Sequence, residues 1–285
     1  MSTARYTTLI EPAELAQLIG AADAAVIDCR HELARPDQGA LWYAASHVPG
    51  ALFAHLDREL SGPVTAASGR HPLPDPERFA GTLSRWGVDR TVQVIAYDQG
   101  NGAVASRLWW MLRWMGHPGV AVLNGGFAAW LEADLPLSSA TQERQPRHFS
   151  SRPSGGGAPV ATDELQRHLA QADITLVDAR AADRFAGRNE TLDPVAGHIP
   201  GARNHPFTLN LDAQGRFLSA AELARRWRAT LANAPAASVV SMCGSGVTAC
   251  HNLLALELAG MPGARLYAGS WSEWIRDPAR PVARA

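Results

Sequence analysis

The sequence predicts an α/β protein made of two tandem copies of one unit, each a mostly parallel sheet flanked by helices. Three observations lead there. Short apolar strand-like runs alternate with helical stretches throughout, which requires crossover connections between parallel strands. A set of landmarks recurs in the same order in both halves, about 150 residues apart. Between them, 141–157 has no hydrophobic period and is rich in Pro, Gly and Ser, so it reads as a linker.

The elements follow in order. In the first half the strands are 26–28, 92–97 and 120–123, and the helical stretches are 12–21, 75–86 and 103–115. Pro12 suits the first turn of a helix, where its missing N–H is not needed. The second half repeats the helices at 162–170, 220–228 and 247–259. Val26-Ile27-Asp28-Cys29-Arg30 returns as Leu176-Val177-Asp178-Ala179-Arg180, and His47-Val48-Pro49-Gly50-Ala51 as His198-Ile199-Pro200-Gly201-Ala202. Gly125-Gly126-Phe127-Ala128-Ala129-Trp130 has its counterpart in Gly269-Ser270-Trp271-Ser272-Glu273-Trp274. These landmarks divide the chain into a domain over 1–145, a linker over 146–157 and a domain over 158–285. His47, His198, Asp28 and Asp178 occur in both copies and are therefore expected to be structural. Trp109, Trp110 and Trp114 follow helical spacing and are expected to pack.

The totals fit this division. A chain of 285 residues with 46% hydrophobic and 19% charged residues is comfortable for two globular domains. A net charge of −1 points to no nucleic-acid or anionic-membrane partner. The N-terminal segment lacks the apolar core of a secretion signal, and no apolar run approaches membrane-spanning length, so the expected location is cytoplasmic. Three cysteines without a Cys-x-x-Cys pair make no disulfide framework. The ten histidines show no metal-ligand spacing, and neither a metal nor an organic cofactor is expected.

Chemistry concentrates at one loop. The apolar run 237–242 leads into Cys243-Gly244-Ser245-Gly246-Val247-Thr248-Ala249, and a helical stretch follows. The cysteine thus sits where a strand turns into a helix N-terminus, at the carboxyl end of a parallel strand, where α/β sheets build their sites. Two glycines let the loop curl so that several N–H groups converge on one anion. A free thiol with a pKa of about 8.5 is only roughly 3% ionised at pH 7. A helix N-terminus worth up to about 2 kcal/mol raises that share to about half, and converging amides raise it further. Cys29 and Cys250 read as packed and inert. In the first half the matching loop is Asp98-Gln99-Gly100-Asn101-Gly102-Ala103, one residue longer, with Asp98 in the position of the cysteine. That half is catalytically silent.

These features resemble the tandem-domain rhodanese-type sulfurtransferases over 8–282, and within them the group that uses 3-mercaptopyruvate. The resemblance implies that Cys243 takes sulfane sulfur from 3-mercaptopyruvate as a persulfide and passes it to a thiol such as thioredoxin or a low-molecular-weight thiol, or to cyanide. Gly244, Gly246, Val247 and Thr248 would hold the charge with their amides. Ser245, His71 and Asp57 match a Ser-His-Asp set for proton movement, His71 and Asp57 reaching the loop from the first domain. Arg184 matches the first arginine of a carboxylate clamp. The second is expected some nine residues on, a position that falls in Leu192-Asp193-Pro194, and Arg188 is the nearest substitute. A thiosulfate-using enzyme is the main alternative, and a non-catalytic sulfur carrier a third. A cysteine phosphatase is disfavoured, since Cys-x5-Arg would need arginine at Ala249.

Overall fold

The structure, a computed structural model, describes residues 6–151, 157–232 and 234–284. The part of the expected linker at 152–156 and the first five residues of the N-terminal segment lie outside the described residues. The chain divides into two compact units. The first comprises Met1–Gly62, Leu73–Ser154 and Ala213–Phe217, and the second comprises Pro63–Pro72, Gly155–Asp212 and Leu218–Ala285. The sequence suggests a single cut near residue 150, whereas each unit borrows a short segment from the far side of it.

The first unit runs β1 (Leu9–Ile10), α1 (Pro12–Ala16), β2 (Ala24–Asp28), α2 (Gln38–Ala45), β3 (Leu52–Phe53), α3 (Pro76–Arg85), β4 (Gln93–Tyr97), α4 (Ala105–Trp114), β5 (Val120–Leu123) and α5 (Gly126–Glu132). Its sheet has the order β1-β5-β4-β2-β3, and every pairing is parallel. The second unit runs α6 (Thr162–Gln171), β6 (Thr175–Asp178), α7 (Ala182–Phe185), β7 (Arg203–Asn204), α8 (Ala220–Leu231), β8 (Val239–Met242), α9 (Thr248–Leu258), β9 (Arg265–Leu266) and α10 (Ser270–Trp274). Its sheet has the order β7-β6-β8-β9, again all parallel. Read from the other edge, this is the first unit's order without β1.

The strands are apolar runs because helices cover both faces of each sheet. All five residues of β2 and all four of β8 are buried. Helix starts follow local chemistry. Asp75 caps α3 by accepting from the amides of Glu77 and Arg78, both at 3.0 Å, and Pro76 occupies the first turn. Ile10, Val26, Ile95, Leu123 and Trp130 anchor the first core; Leu165, Leu176, Val240, Met242 and Trp271 anchor the second. Trp109, Trp110 and Trp114 are buried on α4.

The duplicated landmarks build the same scaffold twice. Arg30 Nε lies 3.1 and 2.9 Å from the two carboxylate oxygens of Asp28, and Arg180 repeats both distances on Asp178. Each guanidinium also donates to the backbone before its histidine, at Ser46 O or Gly197 O, and lies over an aromatic ring, Phe127 or Trp271. His47 stacks on Tyr43 and His198 on Phe185, with Nδ1 bonded to the carbonyl of the same aromatic residue. These buried groups tie each sheet to its neighbouring turns. Among the described residues no helix is long and apolar enough to cross a membrane.

Candidate active site

The site lies at the end of β8, one of the two inner strands with a parallel neighbour on each side, so the position of Cys243 is fixed by the sheet. The loop is then shaped from outside. Ser270 Oγ accepts the Cys243 amide at 3.0 Å, and the amides of Trp271 and Ser272 donate to the carbonyls of Cys243 and Gly244 at 3.0 and 2.9 Å. With these carbonyls occupied by the start of α10, the amides further along the loop can turn inward. The Gly246 N–H donates to Cys243 Sγ at 3.1 Å. Gly246 adopts φ +78°, and a Cβ there would lie 2.3 Å from the Ala268 carbonyl oxygen, so only glycine fits. Val247 caps α9 and Thr248 begins it, which puts the thiol at the helix N-terminus. Cys243 is 2% exposed.

The first unit holds the same loop with a different anion. Asp98 Oδ1 accepts from the amides of Gly100 and Gly102 at 3.1 and 3.0 Å, and Oδ2 from those of Val104 and Ala105 at 2.9 and 3.1 Å. Its carbonyl is held by the Phe127 amide at 2.8 Å, as that of Cys243 is by Trp271. Four amides therefore converge on a carboxylate where the second unit offers a thiol. Cys29 and Cys250 are fully buried; burial pushes the Cys29 thiol up, and the negative charges of Asp28 and Asp98 push it further.

His71 and Ser245 meet. The imidazole Nδ1 lies 2.7 Å from the serine Oγ, and both residues are buried. The sequence suggests that His71 approaches from the first domain. Instead it sits on Pro63–Pro72, which packs within the second unit, so the contact is internal to that unit. The reason is local. The Arg70 amide donates to Ser272 Oγ at 3.0 Å, Arg276 donates to the Ser68 carbonyl, and a Cβ on Gly69 would lie 2.6 Å from the Gly269 carbonyl oxygen. Asp57 lies at the surface of the first unit after β3, its amide bonded to His55 Nδ1.

The basic groups are arranged differently from expectation. Arg184 leans over the loop, with Nη2 3.6 Å from where a Cβ on Gly244 would stand. It is gripped by Glu190 through Nε at 3.2 Å and Nη2 at 2.9 Å, and reaches Asp193 at 3.2 Å. Arg188, expected as the second arm, is exposed on the turn after α7, its amide bonded to the Asp183 carbonyl. The second guanidinium over Gly244 is that of Arg70, which is ion-paired with Asp193. Glu190 also accepts from the amides of Leu192 and Asp193. Burial would raise its carboxyl, but Arg184 and these amides outweigh it and hold it below the usual range. Burial pushes the Asp193 carboxyl up, opposed by Arg70, while the charge of Glu190 adds to the rise. Arg70, Glu190 and Ser270 carry no sign of this arrangement in the sequence. The one available signal was an acidic residue where a cation was expected, which calls for a cation from elsewhere. Among the described residues no cluster of His, Cys, Asp and Glu could hold a metal ion.

Comparison with known proteins agrees with this geometry. The rhodanese-like domain family matches residues 11–133 and again 161–277. A Pseudomonas aeruginosa protein named "Probable 3-mercaptopyruvate sulfurtransferase" is 49% identical over 277 residues, covering 96% of this chain and 97% of its own length. A Mycobacterium tuberculosis protein, provisionally named thiosulfate sulfurtransferase SseB, is 39% identical and covers 99% of this chain and 98% of its own. The crystal structure of the 3-mercaptopyruvate sulfurtransferase SseA from Escherichia coli superposes with a TM-score of 0.82 at 32% identity, covering 94% of this chain and all of that one. Two matching domains, two parallel sheets of one order and a near full-length relative at 49% identity place the chain in the rhodanese-like family, with the domain present twice.

Proposed function

We propose that this protein is a 3-mercaptopyruvate sulfurtransferase working through a Cys243 persulfide. The observation that carries the reading is the pairing, at one loop, of a thiol accepting a backbone N–H with a His71–Ser245 hydrogen bond of 2.7 Å. The Cys243 thiolate attacks the donor sulfur, an S–S bond forms, and the C–S bond breaks with its electron pair left on carbon as the pyruvate enolate. The enolate takes a proton through the Ser245 hydroxyl, which His71 resupplies. The hydrogen left on the persulfide balances that proton, and the loop amides hold the resulting anion. A second thiol, such as thioredoxin or a low-molecular-weight thiol, or cyanide, then removes the outer sulfur. Asp57 is assigned to orienting the histidine, and the expected location is cytoplasmic.

The 39% identical relative named for thiosulfate supports a second reading, in which thiosulfate is the donor. The deciding experiment compares kcat/KM for 3-mercaptopyruvate and thiosulfate on the purified protein, with Cys243→Ser as control. A mercaptopyruvate preference of at least tenfold and complete loss in the variant are expected. A thiosulfate preference reverses the donor assignment, and turnover retained by Cys243→Ser removes the mechanism.

A further inference from the structure

The stretch that reads as a linker begins as a strap on the first unit. The amides of Arg147 and Phe149 donate to Ser84 O and Oγ at 3.0 and 3.1 Å, and the Phe149 side chain is buried. Just before this anchor the strap passes the amino end of β2 and closes one wall of a cavity of about 440 Å³, wholly within the first unit. That volume is on the scale of a small-ligand site, about 300–1,000 Å³. Every lining residue outside the strap is apolar or glycine, Leu18, Ala24, Val26 and Pro49 among them. Gly20 and Gly50 also line the cavity, and nothing lies within 4 Å of where a Cβ on either would stand, so neither position is crowded.

The polar lining comes from the strap, and its charges do not balance. Arg147 Nη1 has a carboxylate partner, Asp89 Oδ2, at 3.2 Å. Arg144, which is half-buried, has none among the described residues. Its Nη1 and Nη2 donate to the carbonyls of Ala24 and Ala22 at 2.7 and 3.1 Å, and its Nε is buried without a hydrogen-bond partner. Arg147 Nη2 donates to the same Ala22 carbonyl at 3.1 Å, so two cations share one neutral oxygen. Burial, and after it the charge of Arg147, pull the Arg144 guanidinium below its usual range. Carbonyls satisfy N–H groups but do not neutralise a charge, and a desolvated cation is costly until an anion joins it. Glu143 lines the cavity too, but it is exposed and forms no ion pair with either arginine.

We infer that this cavity is a binding site for a small amphipathic carboxylate, its chain against Leu18, Ala24 and Val26 and its charge against Arg144 and Arg147. The two halves of such a ligand answer the two halves of the lining. An inorganic anion would leave the apolar wall wet, and a neutral apolar molecule would leave the cation uncompensated. The site belongs to the amino end of β2 and uses no residue of the cysteine loop. It therefore stands independently of the sulfur chemistry proposed above.

The probe is octanoate, titrated into the full-length protein by calorimetry. Octylammonium carries the same chain with the opposite charge, and inorganic phosphate carries charge without a chain. Octanoate is expected to bind with a Kd of about 0.1–1 mM, the scale for so small a ligand, and both controls at least about tenfold more weakly. Arg144→Gln, which removes the charge, and Ala21→Phe, which fills the cavity, should each weaken octanoate by about tenfold or more. Glu143→Gln changes only an exposed side chain and should tighten binding by about two- to threefold, which keeps the test valid where the other variants lose their fold. Arg184→Ala, at the cysteine loop, should leave the affinity within about twofold. A Kd above about 10 mM, octylammonium or phosphate binding as tightly as octanoate, or a Glu143→Gln variant that binds no tighter overturns the inference. So does octanoate binding that survives Arg144→Gln and is lost in Arg184→Ala, which would place the carboxylate at the cysteine loop.

Discussion

Replacing Gly246 by alanine probes the cradle at the point where backbone conformation and chemistry meet. Two costs can be separated. The first is the left-handed backbone, φ +78°, which costs an L-residue about 1–2 kcal/mol. The second is contact: the new Cβ would stand 2.3 Å from the Ala268 carbonyl oxygen and 3.0 Å from its carbon. The obstacle is backbone, so the loop itself must move, and the overlap adds about 1–3 kcal/mol of packing strain. Gly201 supplies the control, since it has φ +82° and nothing within 4 Å of where a Cβ would stand. Gly201→Ala should therefore lose about 1–2 kcal/mol, and Gly246→Ala about 2–5 kcal/mol when both terms are added. Displacement of the Gly246 amide from Cys243 Sγ should also slow persulfide formation by about 100-fold, the scale of losing one preorganised donor. Urea denaturation measures the stabilities, and intact-protein mass spectrometry after a timed pulse of donor measures the persulfide. If the two variants lose equal stability and Gly246→Ala still loads sulfur at the unaltered rate, the cradle reasoning fails.

Two further outcomes follow from buried groups. His205 is fully buried, bonded to Thr230 Oγ1 at 2.7 Å and Asn210 Oδ1 at 3.1 Å, and burial lowers its pKa to about 4. The unfolded chain, with a histidine pKa of about 6.5, then binds the extra proton between these values. Stability from this group is intact above about pH 6.5 and falls by roughly 1.4 kcal/mol per pH unit down to about pH 4. His205→Gln should flatten that slope in urea titrations across pH, and an unchanged slope would show that the imidazole is not held neutral. Asp98→Asn would turn an N–H₂ group toward amides that now donate to Oδ2, and should destabilise the first unit by about 2–4 kcal/mol. A loss below about 0.5 kcal/mol by the same method would mean that the four amides do not depend on the charge.

What could be read from the sequence was whatever local pattern encodes. The cysteine loop, the central strands and the helices after them were legible because a buried parallel strand and a helix start leave short, position-specific signatures. The expected stretch 103–115 became Ala105–Trp114, and 247–259 became Thr248–Leu258. The stretch 12–21 shortened to Pro12–Ala16, because the chain turns at Gly20 with φ +82°. The two-residue strand β1 and the single-turn helix α7 carry too few residues to show a period. The unit to which Pro63–Pro72 belongs was not legible, since nothing within a proline-bounded segment states which core it packs on. The same holds for Arg70 and Asp193: an ion pair between residues so far apart in sequence is a fact of folding, and each residue alone looks like an ordinary surface charge.

The two halves show what separates an anion-holding loop from a reactive one. Both loops turn backbone N–H toward the residue at the strand end, and in both an amide of the helix after the next strand, Phe127 of α5 or Trp271 of α10, secures that residue's carbonyl. In the first unit the bound anion is a carboxylate, which takes hydrogen bonds from four amides of the loop and the start of the helix after it. The second unit fills the same place with a thiol that accepts the Gly246 amide, so a growing negative charge on sulfur finds that donor already in position. The flanking cation follows the same division. His47 and His198 bond to the carbonyls of Tyr43 and Phe185, which makes those aromatic residues equivalents and aligns Arg184 with Trp42. At the position aligned with Arg184 the first unit thus has a tryptophan in place of a guanidinium, and at the position of Cys243 a carboxylate in place of a thiol. The two copies share the loop that follows the central strand and differ in what fills it, a carboxylate in one and a thiol in the other.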